Sequence, residues 1–403
     1  MHLQKKNITI KTRRTEVEKR RRIKMNVTKR PLKGGEFLGE GSFGCVFDTM
    51  NDCVDKDEQR NINKVKDIKH IRKTVVKRFS DIEDFEEEVS SAQFINKIDQ
   101  NNLFTVPFIG VCKSKDTSEH IDIDAHYCDK NGELISQQMV YGYGGVDVDS
   151  RNKYAEPFNE DKQVVHLSQG LIGLLKGLKV LNDNKICHND IHEGNLLYDK
   201  SIQKFTIIDF GLSHKFENSH RVFFKYWSPP DECIIQKIYN CIVGSSKAPV
   251  ILTRSNYMEY HNNTHKLKNL LKLIKGSNGK LKVDTRFLNL PPSHKKYNYT
   301  ETAKTYLLRF FEDNVDVKEK RKQLMIERIE KHDIYSLGHV LDRCMVNLKE
   351  SVNSKSKYKP LVKTVDTFVK KMCHPDYEKR LHPSTALDIF TAKYKQAVKS
   401  IMS

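Results

Sequence analysis

An acid and an amide five residues apart, Asp190 and Asn195, sit in the otherwise apolar stretch Ile186-Cys-His-Asn-Asp-Ile-His-Glu-Gly-Asn-Leu-Leu197. A carboxylate to accept a hydroxyl proton, beside an amide to hold a divalent metal, suits phosphoryl transfer, where catalysis is mostly positioning and charge neutralisation. The pattern His-x-Asp-x-x-x-x-Asn recurs in enzymes that phosphorylate proteins and in enzymes that phosphorylate small molecules, so the rest of the chain must discriminate. Nineteen residues after Asp190, the apolar run Phe205-Thr-Ile-Ile-Asp-Phe-Gly-Leu212 delivers a second carboxylate, Asp209, with Gly211 permitting a sharp change of direction. Two short strands would return Asp209 to the same site, where hard Mg²⁺ takes a few carboxylate oxygens plus phosphate oxygens.

Further upstream, Lys77 is embedded in the β-branched run Thr74-Val-Val-Lys-Arg-Phe79. A lysine in a buried strand is costly unless paired, so a carboxylate or phosphate partner is expected. The next segment, Asp81–Ile95, reads as a helix with Phe85, Val89, Ala92 and Ile95 or Phe94 on its apolar stripe. The register of that stripe selects Glu88 as the partner of Lys77, with Glu87 next; the other acids suit the helix dipole of the first turn. Before Lys77, Gly39, Gly41 and Gly44 in Glu-Phe-Leu-Gly-Glu-Gly-Ser-Phe-Gly-Cys-Val-Phe47 allow a backbone hairpin to approach phosphates without Cβ clashes. A dinucleotide-binding turn would open a helix instead, whereas Phe43, Val46 and Phe47 read as strand and favour a lid over a nucleotide.

The elements between these residues position them. Asn51–Arg72 is charged and reads as a long connection between strands. Gln137–Gly145 reads as a strand ending in a glycine-rich hinge, and Leu167–Asn182 as a core helix that delivers the chain to His188. No run approaches ~18 uninterrupted apolar residues, so no membrane span is expected, and the N-terminus lacks the pattern of a secretory leader. The nine cysteines show no C-x-x-C spacing; free thiols in a reducing compartment are expected, and zinc ligation is not. A net charge of +18 favours anionic partners. Residues 1–33 read as a basic, disordered tail able to address the chain or to hold nucleic acid or an acidic partner.

Taken in order, the glycine loop, strand lysine, helix glutamate, His-x-Asp loop and Asp-Phe-Gly resemble the protein kinase superfamily. The resemblance covers roughly Phe37–Leu387. Later landmarks agree: Tyr226-Trp-Ser-Pro-Pro-Asp-Glu232 is similar to the A-P-E segment, Asp333-Ile-Tyr-Ser-Leu-Gly338 to the D-x-x-S-x-G of the central large-lobe helix, and His374–Arg380 to the late arginine motif. The resemblance implies an α+β, bilobal fold: a small antiparallel β lobe with one helix (34–145, including the hinge) and a larger, mainly α-helical lobe (146–403), with ATP and Mg²⁺ as cofactors. It implies that Gly39, Glu40, Gly41, Ser42, Phe43, Gly44 and Val46 cover ATP. Lys77, paired with Glu88, would hold the α/β-phosphates, Asp190 would accept the substrate proton, and Asn195 and Asp209 would hold the metal. Arg380 would lock against Asp231 or Glu232, and Asp333 would brace the catalytic loop.

Two departures stand in that loop. Asn189 replaces the usual arginine, removing the guanidinium that pairs with a phosphorylated activation segment. His192 replaces the lysine usual in Ser/Thr kinases, and can still donate to a γ-phosphate. His192-Glu-Gly194 is also unlike the corresponding residues of tyrosine kinases, which points to Ser/Thr hydroxyls on a protein substrate. Aminoglycoside and choline phosphotransferases share the His-x-Asp loop and are the alternative; a nucleotide-binding pseudokinase scaffold is another, although Lys77, Asp190, Asn195 and Asp209 are all present. From Glu232 to Asp333 the chain runs about a hundred residues where the family needs far fewer, so 233–331 reads as an insertion. Within it a helix capped by Thr264 with Leu267, Leu270, Leu271 and Ile274, ended by Gly276, and a second over Glu301–Phe311 with Ala303, Tyr306, Leu307 and Phe310, are expected. The Lys-, Asn- and Ile-rich usage is similar to kinases of large cytoplasmic DNA viruses. The cytoplasm or nucleus is the expected location, or the virion and infected cell for a viral chain.

Overall fold

The computed structural model describes residues 37–41, 44–48, 50–71, 73–79, 81–115, 136–148, 160–221, 228–243, 251–252, 274–277, 280–283, 302, 305–306, 309, 315–352 and 356–402. The basic stretch 1–33, Ser42, Phe43, Tyr226, Trp227 and the expected helix from Thr264 to Leu271 lie outside them. Short alternating runs build one antiparallel sheet from β1 (Phe37–Gly41), β2 (Gly44–Phe47), β3 (Thr74–Phe79), β4 (Phe108–Lys113) and β5 (Gln137–Gly142), in the order β1-β2-β3-β5-β4. Val46 lies opposite Lys77, Lys77 opposite Met139 and Val75 opposite Tyr141. Because strand side chains alternate, these five share one face. Cys45, Arg78, Gln138 and Cys112 form a buried row on the other.

Among the described residues two helices accompany the sheet, not the one expected. The stretch read as a plain connection contains α1 (Lys56–Ile68), started by Asp55, whose carboxylate accepts from the Asp57 N–H at 2.6 Å. Such a cap is worth about 1 kcal/mol. A charged helix of this length is marginal alone; Ile62, packed with Cys53, Ile109, Cys112 and Val140, supplies the tertiary contact. Cys53 and Cys112, 59 residues apart, are joined in a disulfide with a Cα separation of 5.7 Å, and Cys45 is also disulfide-bonded. The expectation of free thiols is corrected at these three cysteines. Pairing of Cys53 with Ser114 beside β4, not local spacing, brings the sulfurs together. Cys187, Cys233, Cys344 and Cys373 are thiols outside any disulfide.

α2 (Ile82–Ile98) begins at Asp81, which accepts from Glu83 N at 2.7 Å and Asp84 N at 3.2 Å. Its inner face carries Glu88 and Ile95; Phe94 is 39% exposed, and Glu86 and Glu87 are exposed. The buried Asp99 carboxylate then fixes the turn toward β4, accepting from Leu103 N, Phe104 N, Thr105 N and Thr105 Oγ1 at 2.7–3.1 Å.

After β6 (Val146–Asp147), the second lobe is built on α3 (Val164–Asp183), whose Leu167, Leu171, Leu174, Leu175, Leu178 and Leu181 are buried. Among the described residues one helix, Asp161–Asp183, is long and apolar enough to cross a membrane by length and composition, and these leucines spend its apolar face on the core. Gly170 and Gly177 let it approach its neighbours: a Cβ would lie 2.1 Å from a Phe205 ring carbon or 2.3 Å from the Phe104 ring. Gly177→Val is therefore expected to cost about 1–3 kcal/mol by overpacking, read as a lower denaturation midpoint; an unchanged midpoint would contradict this contact.

Four short strands follow, β7 (Ile186–Cys187), β8 (Leu196–Asp199), β9 (Lys204–Ile207) and β10 (His214–Lys215), pairing as β6-β8-β9 and β7-β10. Then come α4 (Pro230–Val243), β11 (Ile251–Leu252), and a hairpin of β12 (Ile274–Ser277) and β13 (Lys280–Val283). Ile274 and Gly276 thus lie on a strand, not at a helix end. Asn278-Gly279, the dipeptide that favours tight hairpins, sits between Ser277 and its partner Lys280. The second expected insertion helix is helical at its described positions Thr302, Thr305, Tyr306 and Arg309, with Tyr306 buried. β14 (Val315–Asp316) pairs with β11, and α5 (Val317–Arg328), α6 (His332–Ser351), α7 (Lys359–Met372) and α8 (Pro383–Met402) complete the chain. α8 lies along α3 and α7, and α7 along α6. The architecture is α+β and bilobal, an antiparallel sheet above a mainly helical lobe.

Candidate active site

β7 ends at Cys187, and the loop that begins at His188 is held by its backbone. Asp333, in the first turn of α6, accepts from His188 N at 2.7 Å, Asn189 N at 3.0 Å and Cys187 Sγ at 3.4 Å. Asn189 takes φ 66, the left-handed region that asparagine tolerates better than most residues. His188 is buried, which pushes its pKa down against the pull of Asp333, Asp209 and Asp190. Nδ1 accepts from Asp190 N at 3.3 Å while Nε2 faces Ile208 O at 3.1 Å, and the ring meets Phe210 at 4.5 Å. One neutral imidazole thus joins the two carboxylate-bearing segments.

Asn195 donates its amide nitrogen to Asp190 O at 3.0 Å and to Asp190 Oδ2 at 3.4 Å. That commitment leaves its amide oxygen available to a cation. Asp190 Oδ1 is buried with no hydrogen-bond partner. His192 caps the short turn Glu193–Asn195, accepting from Gly194 N at 3.1 Å through Nδ1, so the proton of its neutral form sits on Nε2, 3.9 Å from Asp190 Oδ2. Asp209 lies two residues beyond β9, at φ 62. The left-handed residue of this turn is Asp209 itself, not Gly211 as the sequence suggests.

From the other lobe, Lys77 on β3 forms an ion pair with Glu88 on α2, each side chain about 10% exposed. Burial pushes Glu88 up and outweighs the opposing pull of Lys77. Tyr141 Oη lies 3.5 Å from the other Glu88 oxygen, a contact the sequence does not advertise because Tyr141 reads there only as hinge strand. Between the lobes lies a cavity of about 340 Å³. Leu38, Gly39 and Val46 roof it, Leu197 and Ile207 floor it, and Tyr143–Gly145 form its hinge edge; Lys77, Asn195 and Asp209 stand at its polar end. Of the glycine-loop residues, Gly39 and Val46 line the cavity, while Gly41 pairs with Gly44 and Glu40 with Cys45 at the β1-β2 turn.

Arg380, expected to pair with Asp231 or Glu232, meets Asp231 at 2.7 Å, both fully buried. Glu232 turns instead to His332, 2.7 Å from its Nδ1. Cys187, His332 and Asp333 have ligand atoms close enough for a metal, but Asp333 is committed to three donors and His332 to Glu232. Burial works against charge on His332, yet the Glu232 carboxylate outweighs it and raises the pKa above the ordinary imidazole value. A group raised on folding stabilises fully below its unfolded value of about 6.5, and that contribution fades as pH rises through the folded value. The melting-temperature advantage of the wild type over His332→Gln should therefore shrink as pH rises above about 6.5; an advantage that grows would contradict the assignment.

Residues 32–260, more than half the chain, match the family model described as the protein kinase domain. A probable serine/threonine-protein kinase of Dictyostelium discoideum is 24% identical over 205 residues, covering 49% of this chain and 33% of that relative. The chain therefore spans about a third of the length of the relative. With the bilobal architecture and the cleft between the lobes, the family match identifies the chain as a member of the protein kinase superfamily.

Proposed function

We propose that the chain is an ATP- and Mg²⁺-dependent kinase that phosphorylates Ser or Thr hydroxyls of protein substrates. The observation that carries this reading is the convergence of Lys77, Asn195 and Asp209 at the polar end of one apolar cleft, with Asp190 alongside. The apolar roof and floor suit a purine, and the hinge offers backbone groups to its edge. Lys77, held by Glu88, suits the α/β-phosphates. A carboxylate and an amide oxygen are hard donors that fit Mg²⁺, which when bound would neutralise charge on the phosphate oxygens. Asp190 then orients the acceptor hydroxyl and takes its proton on the open Oδ1. His192 offers an Nε2 proton on the same side, the place a lysine usually serves. His192→Lys is expected to keep transfer, whereas His192→Ala should lower kcat by about tenfold or more; unchanged kcat in the alanine variant would remove His192 from the site.

The test is incubation with labelled ATP and Mg²⁺, generic proteins, and a panel of aminoglycosides and choline, followed by phosphoamino-acid analysis. Phosphoserine or phosphothreonine is expected. Transfer to small molecules alone would overturn the protein-substrate reading. ATP with Mg²⁺ at about 100 times Kd should also stabilise the fold by roughly 2.7 kcal/mol.

A further inference from the structure

Asn189 stands where a guanidinium would receive a phosphorylated activation segment, and its amide nitrogen is buried without a partner. Two lysines at the segment are already engaged: Lys185 lies over the Phe216 ring at 5.7 Å, and Lys215 lies over Phe94 at 5.1 Å while donating to Asn184 O at 3.2 Å. The described serine hydroxyls of the segment are either occupied or buried. Ser213 Oγ donates to Phe210 O at 2.7 Å, Ser219 Oγ donates to Phe216 O, and Ser219 and Ser228 are buried. Buried or donating hydroxyls make poor phosphorylation sites.

The segment is nevertheless tied down. β10 pairs with β7, and Phe216 N donates to Lys185 O at 2.9 Å. The short helix Phe216–Arg221 packs against α5, which the insertion contributes. α5 is itself anchored: Leu324 and Met325 are fully buried, and Arg321 reaches Gln236 on α4 through Nε at 3.0 Å and Nη2 at 2.6 Å. α4 opens with Asp231 and Glu232, fixed by Arg380 and His332. Phe94 lies on α2, the helix that carries Glu88, so the Lys215 contact links the segment to the Lys77–Glu88 pair.

We infer that α5 replaces activation-segment phosphorylation: it clamps residues 216–221 against the large lobe, so the unmodified chain already holds the transfer-competent arrangement. This rests on the kinase reading above but concerns only what positions the segment. It assigns the end of the insertion a task within the catalytic domain.

Hydrogen exchange over residues 213–221 of the full chain, after phosphatase treatment checked by mass spectrometry, decides it without a known substrate. Slow exchange is expected in the wild type, and exchange at least about tenfold faster in Arg321→Ala, Gln236→Ala and Leu324→Ala, with α3 and α6 still protected. Fast exchange in the unmodified wild type, or unchanged exchange in all three folded variants, overturns the inference. With an acceptor in hand, phosphatase treatment should change kcat by less than about twofold, and Arg321→Ala should lower kcat about tenfold with KM for ATP nearly constant. Loss of most activity on phosphatase treatment also overturns it. A chain that binds no nucleotide counts against the kinase reading instead, and the exchange result still decides the clamp.

Discussion

Asp190→Asn is expected to lower kcat by about 10²–10⁴-fold, the range attributed to a positioned general base, while ATP still raises the melting temperature as in the wild type. The substitution keeps the shape of the side chain and the backbone bond from Asn195 to Asp190 O at 3.0 Å. Asp333 continues to hold His188 and Asn189 through their N–H groups. The cavity is lined by Lys77, Asn195 and Asp209 but not by Asp190, so nucleotide affinity should be nearly unchanged. Loss is thus confined to the step in which the hydroxyl gives up its proton, and kcat and kcat/KM should fall together. Undiminished kcat would remove Asp190 as the base. A parallel loss of nucleotide-induced stabilisation would show that the variant acts by disordering the loop.

What the sequence reveals depends on whether a contact is carried by periodicity or by tertiary packing. Glu88 is legible as the partner of Lys77 because the helix stripe fixes its phase, and the ion pair follows. The strand leading to Asp209, which ends at Ile207, and the loop from His188 are legible because short apolar runs frame them. α1 is not: its sequence is mostly charged and polar, and it is stabilised by one buried isoleucine against β4 and β5. The Cys53–Cys112 bond is hidden for the same reason, since its halves meet only through that packing. In the insertion Asn278-Gly279 marks the hairpin that places Ile274 and Gly276 on a strand, not at a helix end. The choice between Asp231 and Glu232 as partner of Arg380 cannot be made from adjacent acids in a sequence; it requires knowing that His332 claims the second. Likewise Gly211 invites the turn by composition, but the residue that adopts positive φ is Asp209, placing the backbone distortion on the residue proposed to bind metal.

The largest effect on stability is expected at Arg380. Its Nη2 meets Asp231 at 2.7 Å, Nε donates to His374 O at 2.9 Å, and the guanidinium lies 4.9 Å from the centre of the Tyr335 ring. Both charged partners are fully buried, and Asp231 Oδ2 has no other hydrogen bond. Arg380→Met leaves that carboxylate without a counter-charge, so a loss of about 3–5 kcal/mol is expected, a large part of the roughly 5–15 kcal/mol by which domains are stable. Adding Asp231→Leu removes the stranded charge and should recover a substantial part of the loss, because replacing a buried pair with apolar groups is often close to neutral. Recovery should be incomplete, since His374 O still loses its donor. Removal of the exposed Lys179–Asp183 pair, with both side chains about half exposed, should by contrast cost less than about 1 kcal/mol. Denaturant midpoints at constant slope measure all three. A midpoint for Arg380→Met within error of wild type, or a double variant less stable than the sum of the single losses, would show that Asp231 is not held by this arginine.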